Sequence, residues 1–63
     1  MSQRILRRAE VEKLVGLRRS SIYAAIERGE FPRQLQISKR AVGWLEADIL
    51  RWIEERVAKK ESK

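Results

Sequence analysis

The chain has 63 residues, 43% of them apolar, which suits one small domain with a thin hydrophobic core. It contains no cysteine and no histidine, which excludes disulfides, thiol nucleophiles and the commonest general base and metal ligand. The net charge of +6 lies in residues 1–45, which hold ten basic and four acidic side chains, whereas residues 46–63 hold five of each. This asymmetry favours a polyanionic partner over a merely solvated basic surface, and ten of the fifteen basic residues are arginine, which suits phosphates.

The first predicted helix covers residues 8–15 and follows an apolar Ile-Leu pair that forms either a strand or a staple before it. The i, i+3, i+4 spacing of Val11, Leu14 and Val15 places all three on one buried face. Gly16 is expected to end this helix, because glycine readily adopts the positive φ of a helix C-terminus.

The second predicted helix covers residues 19–28, with Ile22, Ala25 and Ile26 on its apolar face. Gly29 is expected to end it in the same way as the first helix ends. Two short helices joined by a tight turn are the outline of a helix-turn-helix.

The hydrophobic period changes after the second helix, and a β-hairpin is predicted over about residues 34–45. Leu35 and Ile37 alternate with glutamines, and Val42 and Trp44 alternate with small residues. The Ser-Lys-Arg sequence between the two runs lacks the glycine that tight hairpin turns prefer.

The third predicted helix covers about residues 46–59, and residues 60–63 are expected to be a frayed tail. This helix carries no net charge and is interpreted as scaffold. Its apolar stripe consists of Leu45, Ile49, Trp52, Ile53 and Val57.

Helix, turn, helix, basic hairpin and helix in this order are typical of a winged helix-turn-helix, here one DNA-binding domain over residues 1–63. The second helix starts with Arg18-Arg19-Ser20-Ser21, whose donors suit base edges in a major groove. The hairpin tip adds two cations for phosphates or the minor groove. The candidate contacts to double-stranded DNA are Arg18, Arg19, Ser20, Ser21, Tyr23, Arg28, Arg33, Lys39 and Arg40.

Four segments in order resemble the AlpA-type prophage regulators, which are small MerR-like winged helix-turn-helix proteins related to phage excisionases. The resemblance covers roughly residues 4–57. The segments are Gly16-Leu17-Arg18-Arg19-Ser20-Ser21-Ile22-Tyr23, Gly29-Glu30-Phe31-Pro32, Ala41-Val42-Gly43-Trp44 and Trp52.

The resemblance implies a mainly α fold with a small β-hairpin and a DNA-binding transcriptional regulator that controls integrase or excision genes. In that family a serine usually stands where this chain has Arg18. The chain therefore lacks the capping hydrogen bond of a serine and has instead a long cationic side chain that can reach DNA. Ser20, Ser21 and Tyr23 match the family's groove-facing residues, as does Arg19. The two tryptophans match as core residues.

Three other functions were weighed against DNA regulation. Catalysis would need paired carboxylates, and Glu46/Asp48 and Glu54/Glu55 diverge on a helix, so neither an enzyme nor a cofactor is expected. RNA readers expose aromatics on a sheet, whereas the aromatics here fall at core positions. An excisionase-like architectural or protein-interaction module that docks on an integrase or another regulator is the remaining alternative.

The sequence gives a general expectation for the location of the protein and leaves its oligomeric state open. No apolar run is long enough for a membrane helix and no N-terminal segment resembles a signal peptide, so a cytoplasmic location without membrane contact is expected. The oligomeric state is left open between a monomer that binds cooperatively and a small dimer. Each candidate contact also has an ordinary alternative role, such as a solvated surface charge for the arginines or packing against the wing for Tyr23.

Overall fold

The computed structural model describes residues 4–61 as three helices and a three-stranded antiparallel sheet, which confirms the predicted winged helix-turn-helix fold class. The sheet has the strand order β1-β3-β2, so the third strand is central. No helix in this part of the chain combines the length and the apolar character needed to cross a bilayer. In chain order the elements are β1 (Ile5–Arg7), α1 (Arg8–Val15), α2 (Arg19–Glu27), β2 (Leu35–Ser38), β3 (Ala41–Leu45) and α3 (Glu46–Glu61).

The N-terminal Ile-Leu pair forms strand β1, which joins the predicted hairpin to make the sheet. Leu6 lies opposite Trp44 across the β1–β3 ladder, so both side chains point into the core. On the other side of β3, Leu35 lies opposite Gly43, and the register shifts between Gln36 and Ser38. This irregularity is a β-bulge, which increases the local twist of the hairpin.

Gly43 is required by the close packing of the strands on the outer face of the sheet. A Cβ atom at this position would lie 2.7 Å from both Ile37 Cδ1 and Ile5 Cγ2, and 2.8 Å from the carbonyl oxygen of Leu6. Real Cβ atoms do not come this close to other heavy atoms. The side chains of the two isoleucines on the neighbouring strands therefore occupy the space that a side chain at position 43 would need, so only glycine fits between them.

Both α1 and α2 end at a glycine with positive φ, as their sequences predict. Gly16 has φ 73° and Gly29 has φ 74°. At the end of α2, the N–H of Gly29 donates to the Ile26 carbonyl at 3.0 Å, and the N–H of Glu30 donates to the Ala25 carbonyl at 2.9 Å. This pair of bonds is a Schellman motif, and it turns the chain away from α2 toward the loop before β2.

The core is organised around the fully buried Trp44. Its indole Nε1–H donates to the carbonyl oxygen of Pro32 at 2.8 Å, and the Phe31 ring lies edge-on at a centroid distance of 6.4 Å. On the other side of Phe31, the Trp52 ring lies at 5.0 Å, and its Nε1–H donates to the Glu30 carbonyl at 2.9 Å. The buried hydrophobic residues are Leu6, Val11, Ile22, Ala25, Phe31, Trp44 and Ile49.

Some residues predicted to be buried lie at the surface. Leu14 is 50% exposed, because it lies about 60° around α1 from Val11 and about 100° from Val15, outside the line that packs on the core. Val57 is 49% exposed, since α3 extends beyond the core. Trp52 is only partly buried, so the prediction of a core tryptophan holds fully for Trp44 alone.

Two predicted helix ends differ from the structure. The second helix ends one residue before position 28, because Arg28 forms its C-cap. The third helix continues through Glu61, so the expected fraying is wrong for residues 60 and 61. The last two residues of the predicted tail lie outside the described part of the chain. Lysines in the last turn of α3 suit the negative end of the helix dipole, which supports the longer helix.

Replacing Trp44 by alanine should lower the free energy of unfolding by about 3–5 kcal/mol, because it empties the centre of the core and leaves the Pro32 carbonyl without its donor. Trp52→Ala should cost less, since part of that ring is already exposed. Urea unfolding followed by far-UV circular dichroism measures both. Leu50→Ala, at a position 46% exposed, is the control and should stay within about 0.5 kcal/mol of the parent. Equal costs for Trp44→Ala and Leu50→Ala would contradict this account of the core.

Candidate nucleic-acid interface

The first turn of α2 presents the predicted cluster of donors to solvent. Arg18 is the N-cap residue, in an extended conformation with φ −87° and ψ 167°, and its side chain forms no capping hydrogen bond. A guanidinium has no acceptor, so it cannot cap, and the free backbone N–H groups of this turn remain available. Arg19, Ser20 and Ser21 follow in the first turn, and all three are exposed. No acidic residue lies in this turn to offset the cations.

Tyr23 connects α2 to the sheet. Its ring is partly buried and lies 6.5 Å from the Trp44 ring, with an interplanar angle of 55°. Tyr23 follows Arg19 by four residues, so the two share one side of the helix. The Tyr23 ring therefore packs α2 against the central strand of the sheet, which is the structural alternative to a DNA contact.

The tip of the β2–β3 hairpin, here called the wing, is a two-residue turn formed by Lys39 and Arg40. Type I′ turns need positive φ at both central residues, and among residues 4–61 only two glycines elsewhere have positive φ. Instead, the Gln36 side chain donates to the Ser38 carbonyl, and the Ser38 hydroxyl accepts from the Arg40 N–H at 3.4 Å. These bonds and the adjacent bulge close a turn that contains neither glycine nor proline.

The remaining two candidates, Arg28 and Arg33, lie in the loop between α2 and β2 and differ in their ion pairing. The Arg28 guanidinium forms an ion pair with Glu30 at 3.1 Å, which offsets part of its charge. Arg33 follows the Phe-Pro pair and is exposed. An exposed ion pair contributes little free energy, so Arg28 is not locked in this contact.

Among the described residues, most of the candidate cations differ from some other cations of the domain in having no carboxylate partner. In the part of the chain that the structure describes, most of them form no side-chain hydrogen bond or ion pair. By contrast, the cations at positions 4, 8 and 28 are paired with carboxylates. Side chains without internal partners are available for an external anion. The unpaired candidates are Arg18, Arg19, Arg33, Lys39 and Arg40.

The structure brings the candidates together in two groups and adds residues that the sequence interpretation missed. The first group is the start of α2, and the second is the wing tip. Arg7 and Arg8, which were not predicted as contacts, line one cleft with Arg40 of the wing. A signal was available, because the Arg-Arg pair at the start of α1 repeats the pair at the start of α2.

Within the described part of the chain, this surface carries mainly unpaired cations and no acid in the first turn of α2. Residues 4–61 contain no group of three acidic side chains placed to hold a metal ion. Two short helices joined by a tight turn, followed by a β-hairpin with a cationic tip, define a small winged helix-turn-helix protein.

Comparison with known sequences identifies the family within this class. The pattern of the family described as Prophage CP4-57 regulatory protein (AlpA) matches residues 4–57, and the chain belongs to this prophage regulatory family. The chain is 43% identical over 56 residues to "Uncharacterized protein ORF88" of Enterobacteria phage P4. The alignment covers 89% of this chain and 64% of the phage protein, so the chain spans less than two thirds of its relative's length. The AlpA-type resemblance predicted from the sequence is thereby confirmed.

Arg18→Ser should stabilise the protein, because a serine at the N-cap accepts a hydrogen bond from a free N–H of α2. Arg18→Ala is the matched control, since it removes the same charge without supplying an acceptor. The serine variant should be more stable than the alanine variant by about 1 kcal/mol in urea unfolding. Equal stability of the two variants would show that the start of α2 is not limited by its missing cap.

Proposed function

We propose that the chain is a sequence-specific regulator that binds double-stranded DNA of a prophage. In this proposal α2 enters the major groove and the wing follows the adjacent backbone or minor groove. The observation that carries it is the start of α2, where two unpaired arginines and two exposed hydroxyls surround an uncapped helix terminus without any acid in the first turn. Such a turn is electrostatically unfavourable alone and favourable against a polyanion.

The residues of α2 receive distinct roles in this proposal. Arg19 reads a guanine through O6 and N7, because both arms of its guanidinium match these acceptors. Ser20 and Ser21 bond to neighbouring bases or phosphates. Arg18 lies at the cap position and contacts phosphate. Tyr23 holds the helix against the sheet through its ring.

The loop and the wing position the protein on the backbone. Lys39 and Arg40 contact phosphates without reading sequence, because a two-residue turn does not hold long side chains rigidly. Arg33 adds a further phosphate contact, and Arg28 contributes only when it leaves Glu30. In a bacterial host the target genes are those for integration or excision, which places the regulator in the cytoplasm, bound as cooperating monomers or as a small dimer.

A protein partner, such as an integrase or another regulator, is the second candidate, and a cleft beside α3 favours it. This cleft has a volume of about 440 Å³ and opens over the exposed edge of Trp52, where the Arg56 guanidinium lies 4.4 Å from the ring centroid. Its rim carries both signs of charge, through Glu30 and Glu55 on one hand and Arg56 on the other. Mixed charge around an aromatic floor suits a protein surface better than a polyanion.

The affinity for duplex DNA should fall steeply with salt. If about four to six cationic side chains contact phosphates, log K plotted against log salt should have a slope of roughly −4 to −5. Fluorescence anisotropy with a labelled duplex, selected from a random-sequence library by the protein itself, measures this slope. A slope near zero together with tight binding to a purified integrase would reject DNA regulation in favour of the protein-interaction function.

Specificity should reside in α2 and not in the wing. Arg19→Ala should cost about 1–3 kcal/mol on the selected duplex and much less on a scrambled one, since a base contact is lost. The double replacement of Lys39 and Arg40 by alanine should weaken both duplexes equally and make the salt slope less negative by roughly two. Competition binding with the two duplexes compares the variants. If the wing variant abolished discrimination and Arg19→Ala did not, the wing would be the reading element.

A further inference from the structure

A cationic cleft joins the start of α1 to the tip of the wing. It has a volume of about 260 Å³ and takes its lining from two separate stretches of the chain. Three of its six lining residues are arginines, and the other three present small or apolar surface. The lining consists of Arg7, Arg8, Ala9, Arg40, Ala41 and Val42.

The fold holds the three arginines at this cleft by different means. The β1–β3 register places Arg7 opposite Gly43, and the Arg7 N–H donates to Glu10 Oε1 at 2.9 Å, which fixes the junction of β1 and α1. Arg8 is the first residue of α1. Arg40 is brought to the same cleft from the wing turn, because β3 begins at the next residue and runs antiparallel to β1.

The cleft has an excess of positive charge that nearby carboxylates do not balance. The Arg8 Nε lies 3.3 Å from Glu12 Oε2, close enough for an ion pair, yet this buried Nε–H forms no hydrogen bond within the described residues. Glu10, the other carboxylate of α1, is shared with Arg4 at 3.5 Å. The side chains of Arg7 and Arg40 form no ion pair in residues 4–61. Of the three guanidinium groups at the cleft, only that of Arg8 therefore has a carboxylate within ion-pair distance among the described residues.

We propose that this cleft binds a phosphate of the DNA backbone, with Arg7 and Arg8 joining Arg40 of the wing tip in the contact; this inference rests on the proposed function. Guanidinium groups bind phosphate oxygens in pairs of parallel hydrogen bonds, and three of them at one cleft can share one phosphate. In helix-turn-helix proteins the first helix crosses the backbone while the second enters the groove. The cleft thus ties α1 and the wing to one strand, independently of base sequence.

The double variant Arg7→Gln/Arg8→Gln tests this contact in the full chain, with duplex binding measured by anisotropy. Its salt slope should be less negative than that of the parent by about two, so that between about 50 and 200 mM salt the parent loses roughly tenfold more affinity than the variant. The loss at low salt should be equal for the selected and the scrambled duplex, because phosphate contacts do not read bases. The matched control Arg51→Gln/Lys60→Gln removes two exposed cations from α3 and should keep the parent slope.

Four results would overturn the proposed phosphate contact. A double variant with the slope of the α3 control shows that the cleft does not touch DNA, while the parent's own slope still supports DNA regulation. A changed ratio between selected and scrambled duplex assigns base reading to the cleft. Binding of inorganic phosphate to the parent at low-millimolar concentration, measured by calorimetry, together with an unchanged duplex slope in the double variant, makes free phosphate its ligand. A parent without duplex affinity removes both proposals.

Folding of the variants is controlled separately. Arg8→Gln breaks the ion pair with Glu12, which is partly exposed and contributes little to stability. If thermal unfolding shows that the double variant has lost its structure, Arg7→Gln alone provides the test, because this side chain has no ion-pair partner among the described residues. Its slope should be less negative than the parent slope by about one, and an unchanged slope overturns the contact.

Discussion

The burial of Trp44 is the interaction on which the arrangement of the whole surface depends. This one side chain lies in the central strand, touches Tyr23 of α2 and Phe31 of the loop, and donates its indole N–H to the carbonyl of Pro32. Helix α2, the loop before β2 and the wing therefore share one support. In a chain this small, a single large aromatic supplies much of the apolar burial, and its polar N–H specifies how the loop must run.

Both helices of the helix-turn-helix have an N-cap residue whose side chain forms no capping hydrogen bond, which lowers the stability of the helix. Arg7 and Arg18 occupy the N-caps of α1 and α2, where a short polar residue would satisfy a free N–H, and each is followed by a second arginine. At α1, Glu10 offsets part of this cost by accepting the Arg7 N–H, whereas α2 has no acid in its first turn. Positive charge on a positive helix terminus is unfavourable in the free protein. The same arrangement becomes favourable when an anion is bound, which is the physical basis of both proposed DNA contacts.

The sequence by itself determined the order and type of the elements, apart from β1, which was left open between a strand and a staple. The helical spacing around Val11 and Ile22, the period-2 runs before and after the wing turn and the two terminal glycines are local signals, which depend only on residues close together in the sequence. The concentration of positive charge in residues 1–45 likewise needed no structure to be seen. The candidate contacts at the start of α2 were predictable for the same reason, because a helix start is recognised from its own residues.

Only the tertiary structure decided which side chains are buried and which distant residues meet. Leu14 and Val57 fit their helical stripes, yet they lie outside the core because a domain of this size does not cover every apolar position. Gly43 carries no sequence signal for its role, which arises from two isoleucines on neighbouring strands. The cleft formed by Arg7, Arg8 and Arg40 depends on the pairing of β1 with β3. Strand pairing brings together residues that are far apart in the chain. The spacing of residues along the sequence does not show which strands pair, so this cleft could not be predicted from it.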